Sequence, residues 1–336
     1  MKKDFIIHIG PHKTGTTYLQ KTFFDNKEKL LENGILYPAE GLQVHWGQHM
    51  IAEHLRIKNY SIVEDYISKI KNSDEDILIS SENFDRLKID DIFFLKSLLD
   101  EYNVKIIFVK RSLGALLVSN WQESIKYGEQ HSWKSYCLEH ITKAFASGVI
   151  NTNKILDNYS EIFGFDCISI INYDTLINEK IDICDAFFDL LNKPMLQGIG
   201  SKEYINKSIS AIDIEILRSL NILYSKHKKD PQDSIREAYI MFIESNQNNT
   251  KYIQLKKIIN EFITSVNFND ILVFNIMNTS FKNKYSNNVI GELSKQEVIY
   301  KESFELPDEN WIFRKDALNL VNSLYSCVLK YVEIQA

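Results

Sequence analysis

Short apolar runs alternate with amphipathic stretches through the first half of the chain. The runs at 5–9, 77–80, 105–109 and 167–172 are bounded and of buried-strand length. Between them, 17–31, 90–102 and 183–191 carry helical spacing, and a helix from 113 closes near Gly128. In that last stretch Leu113, Leu116, Leu117, Trp121 and Ile125 fall at steps of three and four, which lines one helical face. Gly34 stands where the helix after the first strand needs a C-terminal cap, and 35–37 before Pro38 is a brief extended piece. Strand and helix in alternation predict a parallel sheet flanked by helices.

From Ser210 the pattern changes. Ser210-Ala211-Ile212-Asp213 reads as a capping box ahead of a helix running to about 224. Further helical stretches are expected at 234–245, 249–266 and 308–333, with 267–306 less regular. No repeat or low-complexity tract interrupts the chain. The expected organisation is an α/β core over 1–205 and a mainly helical part over 206–336 packed on it within the same structural domain. A length of 336 residues suits one large α/β domain or about two smaller ones.

Composition narrows the function classes. Hydrophobic residues make up 44% and charged residues 25%, ordinary for a globular protein with a real core. A net charge of -6 argues against a nucleic-acid-coating surface, so an anion site must be a local basic pocket. The first apolar run ends at Gly10, too short for a secretory core segment, and no stretch approaches the about 18 apolar residues of a membrane span. Cys137, Cys167, Cys184 and Cys327 are scattered without a Cys-x-x-Cys pair, which is neither a zinc site nor a disulfide framework. Buried free thiols in a cytoplasmic protein are the expectation.

The loop Gly10-Pro11-His12-Lys13-Thr14-Gly15-Thr16-Thr17 carries the clearest chemistry. A strand, a glycine-containing turn and a helix aim backbone N–H groups and the helix dipole at one point, which suits the phosphate end of a nucleotide-type ligand. Thr16 and Thr17 add hydroxyls and Lys13 a mobile positive charge. A Walker A loop has its lysine directly after the second glycine. Here Thr16 holds that place and Lys13 stands two residues before Gly15, so it approaches the ligand from another side.

From Ile7 to Gln20 the segment resembles the opening of the bacterial sulfotransferases. In that family a Lys-Thr-Gly-Thr-Thr loop grips the 5′-phosphosulfate of 3′-phosphoadenylyl sulfate (PAPS). The resemblance implies a P-loop-like three-layer α/β fold with a central parallel sheet and a mainly helical C-terminal extension. It also implies that Pro11, His12, Lys13, Thr14, Gly15, Thr16 and Thr17 hold the donor. The usual residue before the lysine is proline, and His12 in its place sets a titratable group beside the cradle.

The run from Val109 to Trp121 is similar to the family's second donor element. Arg111 at a strand end and Ser119 eight residues on would hold the 3′-phosphate, and the planar fork of arginine pairs bidentately with phosphate oxygens. Eight helical residues span about 12 Å, so the chain after Arg111 is expected to curl, with Gly114 permitting it. The family's usual proline is Leu113 here. Read alone, Arg111 and Ser119 also fit an ion-paired arginine and a helix-surface serine. A third element, Asn206-Lys207-Ser208-Ile209-Ser210, echoes a basic segment that closes over the nucleotide and makes Lys207 a donor-binding candidate. A plain helix cap explains its serines as well. A fainter echo lies at Tyr173-Asp174-Thr175-Leu176.

Sulfuryl transfer needs charge neutralisation and a base for the acceptor. The resemblance gives Lys13 the first role. Glu82, after the strand at 77–80, occupies the strand end where ligands sit in parallel sheets, and it looks like the glutamate base of heparan-type sulfotransferases. A helix-capping carboxylate or a partner for Arg86 is the structural alternative. The stretch holding His45, His49 and His54 suggests metal first, then substrate contact or a second acid/base group. His45 and His49, four apart, would share a helix face. No carboxylate completes a triad and the reaction needs no metal, so His49 is expected to line the acceptor pocket. His8, inside a strand, reads as a satisfied core residue.

The expected protein is a PAPS-dependent sulfotransferase acting on a hydroxyl or amine of a carbohydrate, glycolipid or small-molecule acceptor. A P-loop kinase using ATP and a catalytically inactive nucleotide-binding protein are the alternatives.

Overall fold

Strands that bury both faces form where the apolar runs lie. The computed structural model describes residues 2–38, 43–200, 209–226, 235–290 and 303–335. Five strands, β1 (Asp4–His8), β2 (Ile35–Leu36), β3 (Asp76–Ser80), β4 (Asn103–Lys110) and β5 (Ile168–Asn172), pair in the order β2-β3-β1-β4-β5. Every pairing in this sheet is parallel, and His8 stands opposite Ser80 on one side and Ile107 on the other. The protein is α/β, with helices on both faces of a central parallel sheet.

Alternation across the strands feeds two cores. Phe5, Ile7, Ile79 and Phe108 face one, which takes in the helices His49–Arg56 and Thr152–Phe163. Ile6, Leu78, Ile107 and Val109 face the other, closed by Leu19 and Phe23 of the helix Thr16–Asp25 and by Phe187 and Phe188. Burial on both faces is why these strands read as continuous apolar runs. β1 lies between β3 and β4, so the chain leaves it in one direction and later returns to its other side. Ligand crevices form at the carboxyl ends of strands around such a switch point.

Some elements differ from the expected ones. The helix expected at 17–31 is two helices, Thr16–Asp25 and Lys27–Glu32. Asn26 divides them, its side-chain amide donating to the Thr22 carbonyl at 2.9 Å and competing with the backbone ladder. The helices Tyr60–Ile70 and Thr152–Phe163 have no counterpart among the expected elements, although Val63, Tyr66 and Ile67 are buried at helical spacing and Asn151 caps the second. The helix Trp133–Thr142 buries Cys137 alone, so its pattern is faint. The stretch 249–266 is a helix to Asn260 followed by a strand, Ile263–Asn267, which pairs antiparallel with Ser303–Pro307. The less regular stretch 267–306 contains the helix Leu272–Tyr285.

The chain divides into two compact units, and neither is contiguous. One comprises Met1–Ser112, Asn151–Asn206 and Phe274–Tyr300, and the other Leu113–Ile150, Lys207–Val273 and Lys301–Ala336. The change of pattern near 206 therefore does not account for the whole division. Phe281 and Tyr285 join the sheet's first core, which carries the stretch from Phe274 into the first unit. In the second, Asn221 donates to the Ile125 carbonyl at 2.7 Å and Arg218 to the Gln130 carbonyl at 3.0 Å. Arg218 also pairs with buried Glu215 at 2.6 Å, which accepts from Trp311 Nε1 at 2.8 Å. Ser210 caps its helix as expected, accepting the Asp213 N–H at 3.1 Å.

All four cysteines are free thiols, Cys137 and Cys184 buried and the other two half-buried. Among the described residues no helix is long and apolar enough to cross a membrane.

Candidate active site

The phosphate-type loop springs from within the sheet. The Ile9 N–H donates to the Ile107 carbonyl at 3.0 Å and the Val109 N–H to the Gly10 carbonyl at 2.9 Å, which extends the β1–β4 ladder to the first loop residue. The backbone then turns left-handed at Gly10 (φ 87°), Lys13 (φ 68°) and Gly15 (φ 80°). A left-handed lysine costs about 1–2 kcal/mol, and such strain gathers where function over-determines a conformation. Gly10 is needed for close approach as well: a Cβ there would lie 3.0 Å from Glu82 Cα. The Thr14 hydroxyl donates to the Pro11 carbonyl at 2.6 Å and pins the turn. The helix Thr16–Asp25 follows with no side-chain cap at Gly15, so its first N–H groups point into the loop. Thr16 is buried, and Lys13 and Thr17 are half-buried.

Glu82 follows β3 and faces this loop. The Ser81 N–H donates to the His8 carbonyl at 3.1 Å, and a short 3-10 turn, Glu82–Arg86, begins there. Gln20 donates its amide to Glu82 Oε2 at 2.7 Å, and His49 Nδ1 stands 3.9 Å from the same oxygen. Burial pushes this carboxyl upward, but His49 and the Gln20 amide together outweigh it and hold Glu82 below the usual glutamate value. It is therefore an ionised carboxylate at neutral pH. Neither structural alternative for Glu82 is found among the described residues. Ser81 caps the turn, accepting the Asn83 N–H at 3.2 Å, and Arg86 turns to Asp85 and His12.

His49 is held beside Glu82 by its neighbours. Gln48 behaves like one more strand residue: its N–H donates to the Ser80 carbonyl at 2.9 Å and its Oε1 accepts the Ser80 N–H at 2.7 Å. His49 then begins the helix His49–Arg56 with Nδ1 2.8 Å from Ser81 Oγ. Burial lowers its pKa below the ordinary histidine value, partly offset by Glu82. Gly47 lets these groups converge, since a Cβ there would lie 2.9 Å from Gln20 Cδ, His49 Nε2 and the Ser80 carbonyl oxygen alike.

His45 and His49 do not share a helix face. His45 precedes the helix with φ 54°, inside the turn closed by the Val44–Gly47 bridge. No three-residue His/Cys/Asp/Glu cluster suited to a metal occurs among the described residues. His8 is only half satisfied: Nδ1 lies 2.8 Å from Ser80 Oγ, while its buried Nε2 has no hydrogen-bond partner among the described residues. Burial lowers its pKa to about 4, against a smaller opposing pull from Glu82.

Arg111 comes onto the loop from β4. Its Nη1 donates to the Lys13 carbonyl, and its guanidinium lies 5.3 Å from the Tyr173 ring centre. Burial lowers its pKa, offset in part by Tyr173 and Asp174, and its buried Nε has no hydrogen-bond partner among the described residues. Asp174 accepts the Ser112 N–H at 2.6 Å and is pushed upward by burial. The curl expected at Gly114 is absent, because the helix Leu113–Lys126 already includes it. Ser119 is half-buried on that helix, in the second unit. Lys207 lies outside the described residues. Sequence reasoning missed Gln20 and Asp85. The only signal for Gln20 was a polar side chain between Leu19 and Phe23 on a buried helix face.

No family model and no curated protein sequence matches the chain. Among solved structures, it is similar to a sulfotransferase from Alicyclobacillus acidocaldarius, with 11% identity over 68% of this chain and 98% of that one, at a TM-score of 0.40. It is also similar to the sulfotransferase domain from the curacin biosynthetic pathway, with 12% identity over 72% of this chain and 98% of that one, at a TM-score of 0.37.

Proposed function

We propose that this chain transfers a sulfuryl group from PAPS to a hydroxyl or amine of a carbohydrate, glycolipid or small-molecule acceptor. The observation that carries the reading is the convergence of a left-handed Lys13, the ionised Glu82 and the half-buried Arg111 on one glycine-containing loop at a strand end. Loop N–H groups and the Thr16 and Thr17 hydroxyls suit a 5′-phosphosulfate. The buried Arg111 Nε without a partner among the described residues suits a further phosphate group. In the transfer, the acceptor oxygen or nitrogen bonds to sulfur as the bond from sulfur to the bridging oxygen breaks. Lys13 neutralises the charge left on that oxygen. Gln20 holds Oε2 of Glu82, so Oε1 takes the acceptor proton. His49 lines the acceptor side, and the Gln20 amide holds Glu82 as the carboxylate.

Arg111→Ala tests the donor assignment. Loss of a charge-assisted phosphate contact is expected to weaken binding of the desulfated product PAP by about tenfold to hundredfold, measured by calorimetry, with ADP binding little changed. Equal loss for both nucleotides would remove the 3′-phosphate role from Arg111.

A further inference from the structure

His12 makes contacts that fix where its proton sits. Nδ1 lies 2.8 Å from Oδ2 of Asp85, whose side chain is 8% exposed, and Nε2 faces Arg86 Nη2 at 3.3 Å. A carboxylate only accepts and a guanidinium only donates. The ring must therefore carry its hydrogen on Nδ1 and offer the Nε2 lone pair. The His12 main-chain N–H points at the same Asp85 oxygen, 3.4 Å away.

Asp85 and Arg86 end the turn that Glu82 begins. His12, through ring and backbone, thus fastens the phosphate-type loop to the far end of the segment bearing the carboxylate. At the near end Gly10 packs directly against the Glu82 backbone. Lys13 is the next residue and is held left-handed, so the stretch of loop that His12 fastens to Asp85 is the one that carries the lysine.

We infer that His12 is a positioning residue: latched by Asp85 and Arg86, it keeps Lys13 and Glu82 in fixed register across the reacting group. The catalytic half of this statement rests on the sulfuryl-transfer reading; the latch does not. Proline cannot make the ring contact, so the histidine at this place adds a tie that the usual family residue lacks.

Long-range nitrogen–proton NMR on the full chain, with labelled histidine, reads the tautomer directly. The expected result is a His12 ring protonated on Nδ1, and loss of that preference in Asp85→Ala. Turnover of labelled PAPS supplies the second readout. His12→Ala is expected to lose at least tenfold in rate with PAP affinity within threefold of wild type. His12→Asn, whose amide reaches the Nδ1 position, is expected to recover most of the rate. An Nε2-protonated ring, or equal rates in all three proteins, would overturn the positioning role and leave sulfuryl transfer standing. If the wild-type chain turns over no PAPS, the transfer reading falls, and the tautomer alone decides the latch.

Discussion

Lys13→Ala is expected to slow transfer of the labelled sulfuryl group from PAPS by on the order of 10²- to 10³-fold, the usual cost of removing one charge-stabilising group from a preorganised site. The lysine leaves the loop from a backbone set at φ 68° between Gly10 and Gly15. Alanine carries a similar left-handed cost, so the variant keeps the loop's conformational balance, which glycine would alter. Charge on the leaving oxygen grows mainly in the transition state, so the loss should fall on turnover and much less on PAP affinity. Steady-state rates with labelled PAPS, alongside PAP calorimetry, separate the two. A variant that turns over PAPS at the wild-type rate would deprive Lys13 of its role.

Acid is expected to destabilise the sheet unit through its buried histidine. His8 is fully buried, and its folded pKa is lowered to about 4 from an ordinary 6.5. A lowered histidine pKa means that the unfolded chain binds the extra proton first. Stability from this group is therefore complete above about pH 6.5 and is lost as pH falls towards 4. At about 1.36 kcal/mol for each pH unit across that gap, the loss is about 3 kcal/mol. His49, also lowered by burial, acts in the same direction in this unit as pH falls below the ordinary histidine value. Urea midpoints of wild type and His8→Asn at pH 7, 5.5 and 4.5 isolate the His8 share. By pH 4.5 the wild type should lose about 2–3 kcal/mol more than the variant; parallel curves would show that His8 is not held neutral.

The strands were legible because their chemistry is local. Ile77, Leu78 and Ile79 are buried whichever face they take, so a bounded apolar run identifies β3 without knowledge of its neighbours. The loop and the position of Glu82 after a strand were legible for the same reason. Partnerships were not. Gln20 meets Glu82 from 62 residues away and Asp85 meets His12 from 73 residues away, distances that only the parallel crossovers close. The shared helix face of His45 and His49 failed because a turn at Gly47 intervenes. The curl at Gly114 failed because an unbroken helix absorbs the glycine. His8 looked like an ordinary core residue, and only its Nε2, unpartnered among the described residues, reveals an acid-sensitive point.

Thermal melting with PAP and with ADP at equal concentration tells a sulfuryl-donor site from an ATP site. Each carries two phosphates, but PAP has one of them on the 3′ position, the mark of a sulfuryl donor's product, while ADP has both in a 5′ chain. Ligand present at 100 times its Kd stabilises by about 2.7 kcal/mol, which moves a unit of this size by roughly 5 °C or more. A shift of that order is expected for PAP and one of less than about 1 °C for ADP. Equal shifts for the two nucleotides, or a larger one for ADP, would contradict the sulfuryl-donor reading.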